Sequence, residues 1–185
     1  DALKIEFPKF NKIISNLPYQ ISSPITFKFL KYDFDLAVLM YQKEFAQRMN
    51  GKIGSKNYSR LSCMLYFKCN VEKLTDVSSE SFIPKPEIDS TVVCLKPKEN
   101  IISQKDFEIY SNFTKALFQH RNKKIKNALI DSRHIICNLD KKEMKNRINS
   151  IESDEIENYL KQRVITLTPE EILFLSKEIN PIINN

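Results

Sequence analysis

Glycine is nearly missing from this chain: its 185 residues include two, Gly51 and Gly54. A Gly-rich loop that lets backbone approach a phosphate or a dinucleotide therefore has no place in it. Trp is absent, and His occurs only at positions 120 and 134. The four cysteines, Cys63, Cys69, Cys94 and Cys137, show no C-x-x-C spacing. That argues against a metal site of the zinc type and against a Cys-His nucleophile. Unpaired thiols suit a reducing, cytoplasmic compartment. No apolar run reaches the length of a membrane span, so no membrane partner is expected. What is present is an ordinary globular share of hydrophobic residues, 42%, and a formal net charge of +6 with a pI near 9.0. A basic balance of this kind points to an anionic partner.

The chain changes character partway along. Up to Lys98, short apolar runs alternate with helical patterns. Ile13–Ser15 reads as a strand, and Ser23-Pro24 as an N-cap with a first-turn proline. Leu36–Tyr41 is a continuous apolar run, hence a buried strand. Lys43–Met49 reads as a short helix closed at Asn50-Gly51. Residues 51–57 form a polar loop, and Ser59–Phe67 has helical periodicity. Cys69–Val77 and Thr91–Leu95 read as strands. Beyond Lys96-Pro97-Lys98 the pattern is helical. Ser103-x-x-Asp106 resembles a capping box, followed by the stripe Phe107, Tyr110, Phe113 and Leu117, read as core. Lys123–Ile130 continues as a helix, and Asp140, Ser153 and Thr168-Pro169-Glu170-Glu171 start three more. The expected architecture is an α/β domain over residues 1–98 and a small all-α domain over 99–185, divided near residues 97–102.

Asn16-Leu17-Pro18-Tyr19 stands between the first strand and the first helix. At such a turn an amide oxygen, a main-chain carbonyl and an aromatic face can share one pocket. Two adjacent oxygens accept both hydrogens of one exocyclic amino group, and the ring stacks on the base that carries it. Pro18 sets its own φ and biases Leu17 to an extended conformation, which aims the Leu17 carbonyl. The amine of adenine is a poor nucleophile because its lone pair is delocalised into the ring. Accepting both hydrogens draws that nitrogen toward a more nucleophilic geometry, by placement and electrostatics rather than by a strong base. The bland alternative is an ordinary turn, since Asn and Pro are common turn formers.

A second motif, Ser81-Phe82-Ile83-Pro84-Lys85-Pro86-Glu87-Ile88-Asp89-Ser90, carries two prolines at spacing two. That makes a stiff, extended loop able to hold Phe82 over a pocket at little entropic cost; its bland alternative is a strand connection with a core phenylalanine. Together the two motifs resemble the KsgA-type rRNA adenine N6,N6-dimethyltransferases, whose pattern is Asn-Leu-Pro-Tyr followed by Phe-x-Pro-x-Pro-x-(Val/Ile)-Asp-Ser. The resemblance extends to Gln42-Lys43-Glu44, to Tyr58-Ser59-Arg60-Leu61-Ser62 and to Phe118-Gln119-His120-Arg121-Asn122-Lys123-Lys124.

The resemblance implies a Rossmann-like methyltransferase domain with a helical C-terminal domain. It implies dimethylation of N6 on two adjacent adenines in the 3′-terminal hairpin loop of small-subunit rRNA, during ribosome biogenesis. S-adenosyl-L-methionine is the implied methyl donor, the immature small subunit the implied partner, and a monomer the expected state. Asn16, Leu17, Pro18 and Tyr19 are the implied catalytic residues, with Tyr19 and Phe82 stacking on the target base. Asp1 resembles an acidic residue that meets the cofactor, with Asn16 beside it. The family's Gly-rich first loop has no counterpart here. The expectation is that this half of the domain is missing and that the chain alone is inactive. A large-subunit rRNA methylase conferring antibiotic resistance stays open as an alternative, as does a non-catalytic RNA-binding assembly factor.

Four of the six residues from Arg121 to Lys126 are basic. Arg121, Lys123, Lys124 and Lys126 are candidates for RNA phosphate contact, supported by a helix N-terminus at that point. Arg48 and Lys85 are further candidates nearer the pocket motifs. Such contacts position a nucleic acid without reading its sequence.

Overall fold

The computed structural model describes residues 1–99 and 102–184. It divides into two compact units, Asp1–Gly51 with Leu65–Asn100 and Lys52–Met64 with Ile101–Asn185. Two positions of the expected boundary, 100 and 101, lie outside the described residues.

Among the described residues the first unit holds one four-stranded sheet: β1 (Lys12–Asn16), β2 (Leu36–Gln42), β3 (Cys69–Val77) and β4 (Ser90–Pro97), in the order β1-β2-β4-β3. β1 and β2 run parallel, with Asn16 opposite Met40. β2 pairs antiparallel with β4, Gln42 opposite Ser90, and β3 pairs antiparallel with β4. The parallel pair requires a crossover, which α1 (Ser22–Phe29) supplies. β2 buries alternate residues, Ala37, Leu39 and Tyr41. Helix α1 buries Ser22, Ile25, Thr26 and Phe29, the spacing of one helical face. Thr26 Oγ1 donates to Ser22 O at 2.7 Å, so its hydrogen is committed; the Tyr41 hydroxyl, 2.6 Å away, is then the donor to Thr26. Burial pushes the Tyr41 phenol well above its ordinary pKa, keeping that donor protonated. Helix α2 (Lys43–Met49) follows β2 directly. At the outer end of the sheet β1 leaves Ile14 81% exposed.

Helix α1 departs from the sequence reading. Ser23 is not its cap. A 3₁₀ turn over Tyr19–Ile21 runs straight into the helix at Ser22, and Ile21 occupies the cap position with no side-chain hydrogen bond. The incoming turn already fixes the backbone, so no side-chain oxygen is recruited. Pro24 still falls in the first turn, where a missing N–H costs nothing.

The second unit is helical: α4 (Gln104–Phe118), α5 (Ile125–Asp131), α6 (Lys141–Asn149), α7 (Asp154–Lys161) and α8 (Pro169–Asn184). The caps follow the sequence signals. Ser103 accepts from Asp106 N at 3.0 Å, and Asp140 from Lys142 N and Glu143 N. At α8 the box is reciprocal: Thr168 Oγ1 accepts from Glu171 N at 3.1 Å, and Glu171 accepts from Thr168 N at 2.7 Å. The stripe on α4 is core, with Tyr110, Phe113 and Leu117 buried and Phe107 half-buried.

Residues 52–64 cluster with these helices rather than with the sheet, and the boundary falls inside α3 (Arg60–Lys68), between Met64 and Leu65. Buried hydrogen bonds give the reason. The Tyr58 hydroxyl donates to Leu167 O at 2.7 Å and accepts from Cys63 Sγ at 3.2 Å, while the Tyr110 hydroxyl donates to Cys63 O at 2.9 Å. Tyr58 also meets the edge of Phe118 at 5.5 Å between ring centroids.

Candidate functional site

β1 ends at Asn16, and the chain turns at once. Pro18 takes φ −57° and ψ 129°, and its carbonyl accepts from Ile21 N at 3.1 Å to start the 3₁₀ turn. Leu17 is buried and anchors the turn, whereas Asn16 is exposed and Tyr19 half-exposed. Among the described residues no hydrogen bond engages the Asn16 amide or the Leu17 carbonyl. Both oxygens keep their lone pairs.

The proline loop joins β3 to β4 and flanks this turn, with the space between them open to solvent. Asn16, Leu17, Pro18 and Tyr19 line a cavity of about 310 Å³ together with Phe82, Pro84 and Pro86. That is the small end of ligand pockets, which run from about 300 to 1,000 Å³. The lining is one amide, two aromatic rings, three prolines and a leucine, with no charged side chain. It suits one flat, neutral heterocycle with an exocyclic donor. The Ile83–Pro84 peptide is cis, and Ile83 is fully exposed.

Several contacts set the loop, and sequence reading foresaw none of them. The Tyr19 hydroxyl lies 2.6 Å from Ser90 Oγ, and Ser90 is buried at the start of β4. Asp89 accepts from Ser79 N through Oδ1 at 3.1 Å, and its carbonyl accepts from Lys43 N at 3.0 Å. The Lys43 ammonium lies 3.6 Å from the Asp89 carboxylate and 4.0 Å from that of Asp76. Asp76 receives Lys73 Nζ at 2.6 Å and Thr91 Oγ1 at 2.7 Å, which hold its carboxyl below the usual range. The signal was present in the letters, since Lys43 and Ser90 both stand inside the quoted motifs, but no local pattern says that Lys43 meets Asp89 or that Ser90 meets Tyr19.

The other candidates take the following places. Asp1 is exposed; its carboxylate accepts from Leu3 N at 2.9 Å and lies 3.8 Å from Lys4 Nζ, so it is occupied by a local turn. Arg48 stacks its guanidinium on Phe45, 5.3 Å from the ring centroid. Lys85 pairs with Glu80 at 3.0 Å. In the second unit, Arg121 donates to Lys56 O at 2.9 Å and to Ser55 O at 3.2 Å. Lys123 pairs with Asp131 at 2.9 Å. Lys124 is exposed and Lys126 half-exposed, and neither has an ion-pair partner among the described residues. Helix α5, which starts at this cluster, has only seven residues, so its N-terminal charge is a small supplement.

Comparison with known proteins adds a family to this geometry. The family model described as ribosomal RNA adenine dimethylase matches residues 1–165. A probable ribosomal RNA small subunit methyltransferase A of Thermococcus gammatolerans is 48% identical over 173 residues, covering 94% of this chain and 59% of that protein. The protein of the same description in Methanococcus aeolicus is 47% identical over 187 residues, covering 100% and 69%. Among solved structures, a dimethyladenosine transferase from Plasmodium falciparum superposes with a TM-score of 0.80 at 31% identity, covering 98% of this chain and 71% of that one. The 23S rRNA methyltransferase ErmE superposes with a TM-score of 0.62 at 21% identity, covering 97% and 70%, and shows the fold alone. The mixed sheet with its helices is thus the Rossmann-like methyltransferase architecture. The chain spans roughly half to two thirds of the length of most curated relatives it matches.

Proposed function

The chain belongs to the ribosomal RNA adenine dimethylase family, and from that premise we propose that the protein dimethylates N6 of adenine in small-subunit rRNA. The finer reading is two adjacent adenines in the 3′-terminal hairpin loop, modified on the immature small subunit as a step in its biogenesis. The observation that carries it is the cavity that the Asn-Leu-Pro-Tyr turn and the proline loop line together.

An adenine drawn from an RNA loop is already partly unstacked, so it enters a protein pocket at less cost than a paired base. Tyr19 and Phe82 take its two faces, each contact worth about 1–3 kcal/mol. Asn16 Oδ1 and the Leu17 carbonyl accept the two N6 hydrogens, and Pro18 keeps that carbonyl aimed. Both acceptors act on charge that develops at N6 as it attacks, which makes this electrostatic catalysis. After one transfer a single N–H remains, so only one acceptor is engaged in the second round.

S-adenosyl-L-methionine is the methyl donor the family implies. The residues described supply at most a margin of its site. The cavity lining offers no charged side chain to meet its carboxylate or ammonium, and the carboxylate of Asp1 is held by Leu3 and Lys4. Of the two residues expected to meet it, Asn16 lines the cavity and Asp1 does not. What the present residues do is to the acceptor base. Within the basic run, Lys124 and Lys126 have no ion-pair partner among the described residues and are the cations offered to phosphate. Arg121 and Lys123 are engaged by protein groups, and Arg48 and Lys85 are further cations.

The test is methyl transfer by the full-length protein from labelled donor to immature small subunits, with the modified bases mapped. Asn16→Ala should lower transfer by about 10²–10³-fold, the range for a lost preorganised group, while RNA binding persists. Label in large-subunit rRNA, or near-normal transfer by Asn16→Ala, would overturn the assignment.

A further inference from the structure

The loop at 52–56 is held as if to present something. Ser55 N donates to Lys52 O at 3.0 Å, closing a turn, and Gly54 takes φ +78° within it. That left-handed position favours glycine, and no heavy atom lies within 4 Å of where a Cβ would stand, so the constraint is the backbone itself. Gly54 N then donates to Ile165 O at 3.0 Å, and Arg121 grips the carbonyls of Ser55 and Lys56. The Arg121 carbonyl in turn accepts from Ile165 N at 3.0 Å, and Lys124 bridges Arg163 in antiparallel fashion. Three segments, 52–56, 121–125 and 162–165, are thereby clamped into one surface of the second unit.

None of the three contains Asp or Glu, while together they carry Lys52, Lys56, Arg121, Lys123, Lys124 and Arg163. Arg121 is spent as a brace, Arg163 donates to Asn122 O at 3.0 Å, and Lys123 is paired with Asp131. Lys52, Lys56 and Lys124 are exposed, and among the described residues nothing neutralises them. Between the first two stands Ile53, 48% exposed, an apolar side chain offered to solvent on a braced loop. A cation, an apolar surface and a second cation in five residues match the alternation of phosphate and sugar along a nucleic-acid strand.

We propose that Lys52, Ile53 and Lys56, with Lys124 beside them, form an RNA backbone contact that Arg121 organises rather than makes. This rests on the reading that the substrate is rRNA, and it adds to Lys124 of the basic run the loop that Arg121 supports.

The experiment measures affinity of the full-length protein for small-subunit rRNA across a salt series, for wild type, the pair Lys52→Gln with Lys56→Gln, and Lys115→Gln as an exposed control on α4. Each phosphate contact adds about 0.7–0.9 to the slope of log K against log salt. Loss of both lysines should flatten the slope by about 1.4–1.8, and the control should leave it unchanged. A loop pair with wild-type slope overturns the contact while the rRNA reading stands. An equal drop in the control reduces the effect to overall charge and overturns it too. Wild type that binds no small-subunit rRNA brings down the underlying reading, and this proposal with it.

Discussion

The hydroxyl of Tyr19 meets the hydroxyl of Ser90 at 2.6 Å, across 71 residues of sequence. The two ends of this bond belong to the two motifs that line the cavity. Ser90 is fully buried and Tyr19 half-exposed, so the bond sets the angle of a ring whose face is open.

If that bond orients the ring, Ser90→Ala and Tyr19→Phe should each slow methyl transfer several-fold. A hydrogen bond is worth about 0.5–1.5 kcal/mol net, and the ring survives in both variants. The double variant should lose no more than either single one, since both remove the same bond. Additive losses in the transfer rates of the three variants would show that the two hydroxyls act separately.

Tyr58 is the polar pin of the second unit. Tyr58→Phe keeps the ring against Phe118 but strands the buried Leu167 carbonyl, at a cost of about 1–3 kcal/mol. Denaturant unfolding should show a lower midpoint with unchanged slope. Cys63 shares this network, and burial pushes its thiol up to about 12. Its alkylation at pH 8 should therefore wait for unfolding, and rapid labelling of the native protein would contradict the packing described.

Asp131 accepts from Lys123 at 2.9 Å and from Lys141 at 3.0 Å, and these bonds hold its carboxyl below the ordinary range. A depressed carboxyl contributes stability that is present above its unfolded pKa, about 3.9, and is lost as pH falls through the lower folded value. Asp131→Asn should therefore narrow the gap to wild type as pH drops from 5 toward 2. Thermal midpoints across that range check it. A constant gap would assign the effect to something other than the charge.

Much of this was legible because it is local. Leu36–Tyr41 is apolar along its whole length, so it reads as a strand without knowledge of its neighbours. The Thr168–Glu171 box declares the start of α8 in four letters, since both of its hydrogen bonds close within one turn. The pocket motifs were visible as residue types. Their pairing through Tyr19 and Ser90 was not, because it depends on β4 lying against β2 so that Ser90 falls opposite Gln42. The membership of residues 52–64 was hidden for the same reason: Tyr58 is assigned by a carbonyl 109 positions away. Arg121 reads as a charge in sequence and acts as a donor to main chain in space. Ser23 misled because a serine before a proline is a good cap wherever a loop enters a helix, and here a 3₁₀ turn enters instead.

Ile14 sits on a terminal strand whose outer N–H and C=O groups face no neighbouring strand among the described residues. A bare rim of that sort templates further β-pairing, and a large aliphatic group beside it adds adhesion. A preparation of this stretch by itself should grow turbid as it is concentrated. Ile14→Lys should keep it clear by setting a like charge on every copy that approaches.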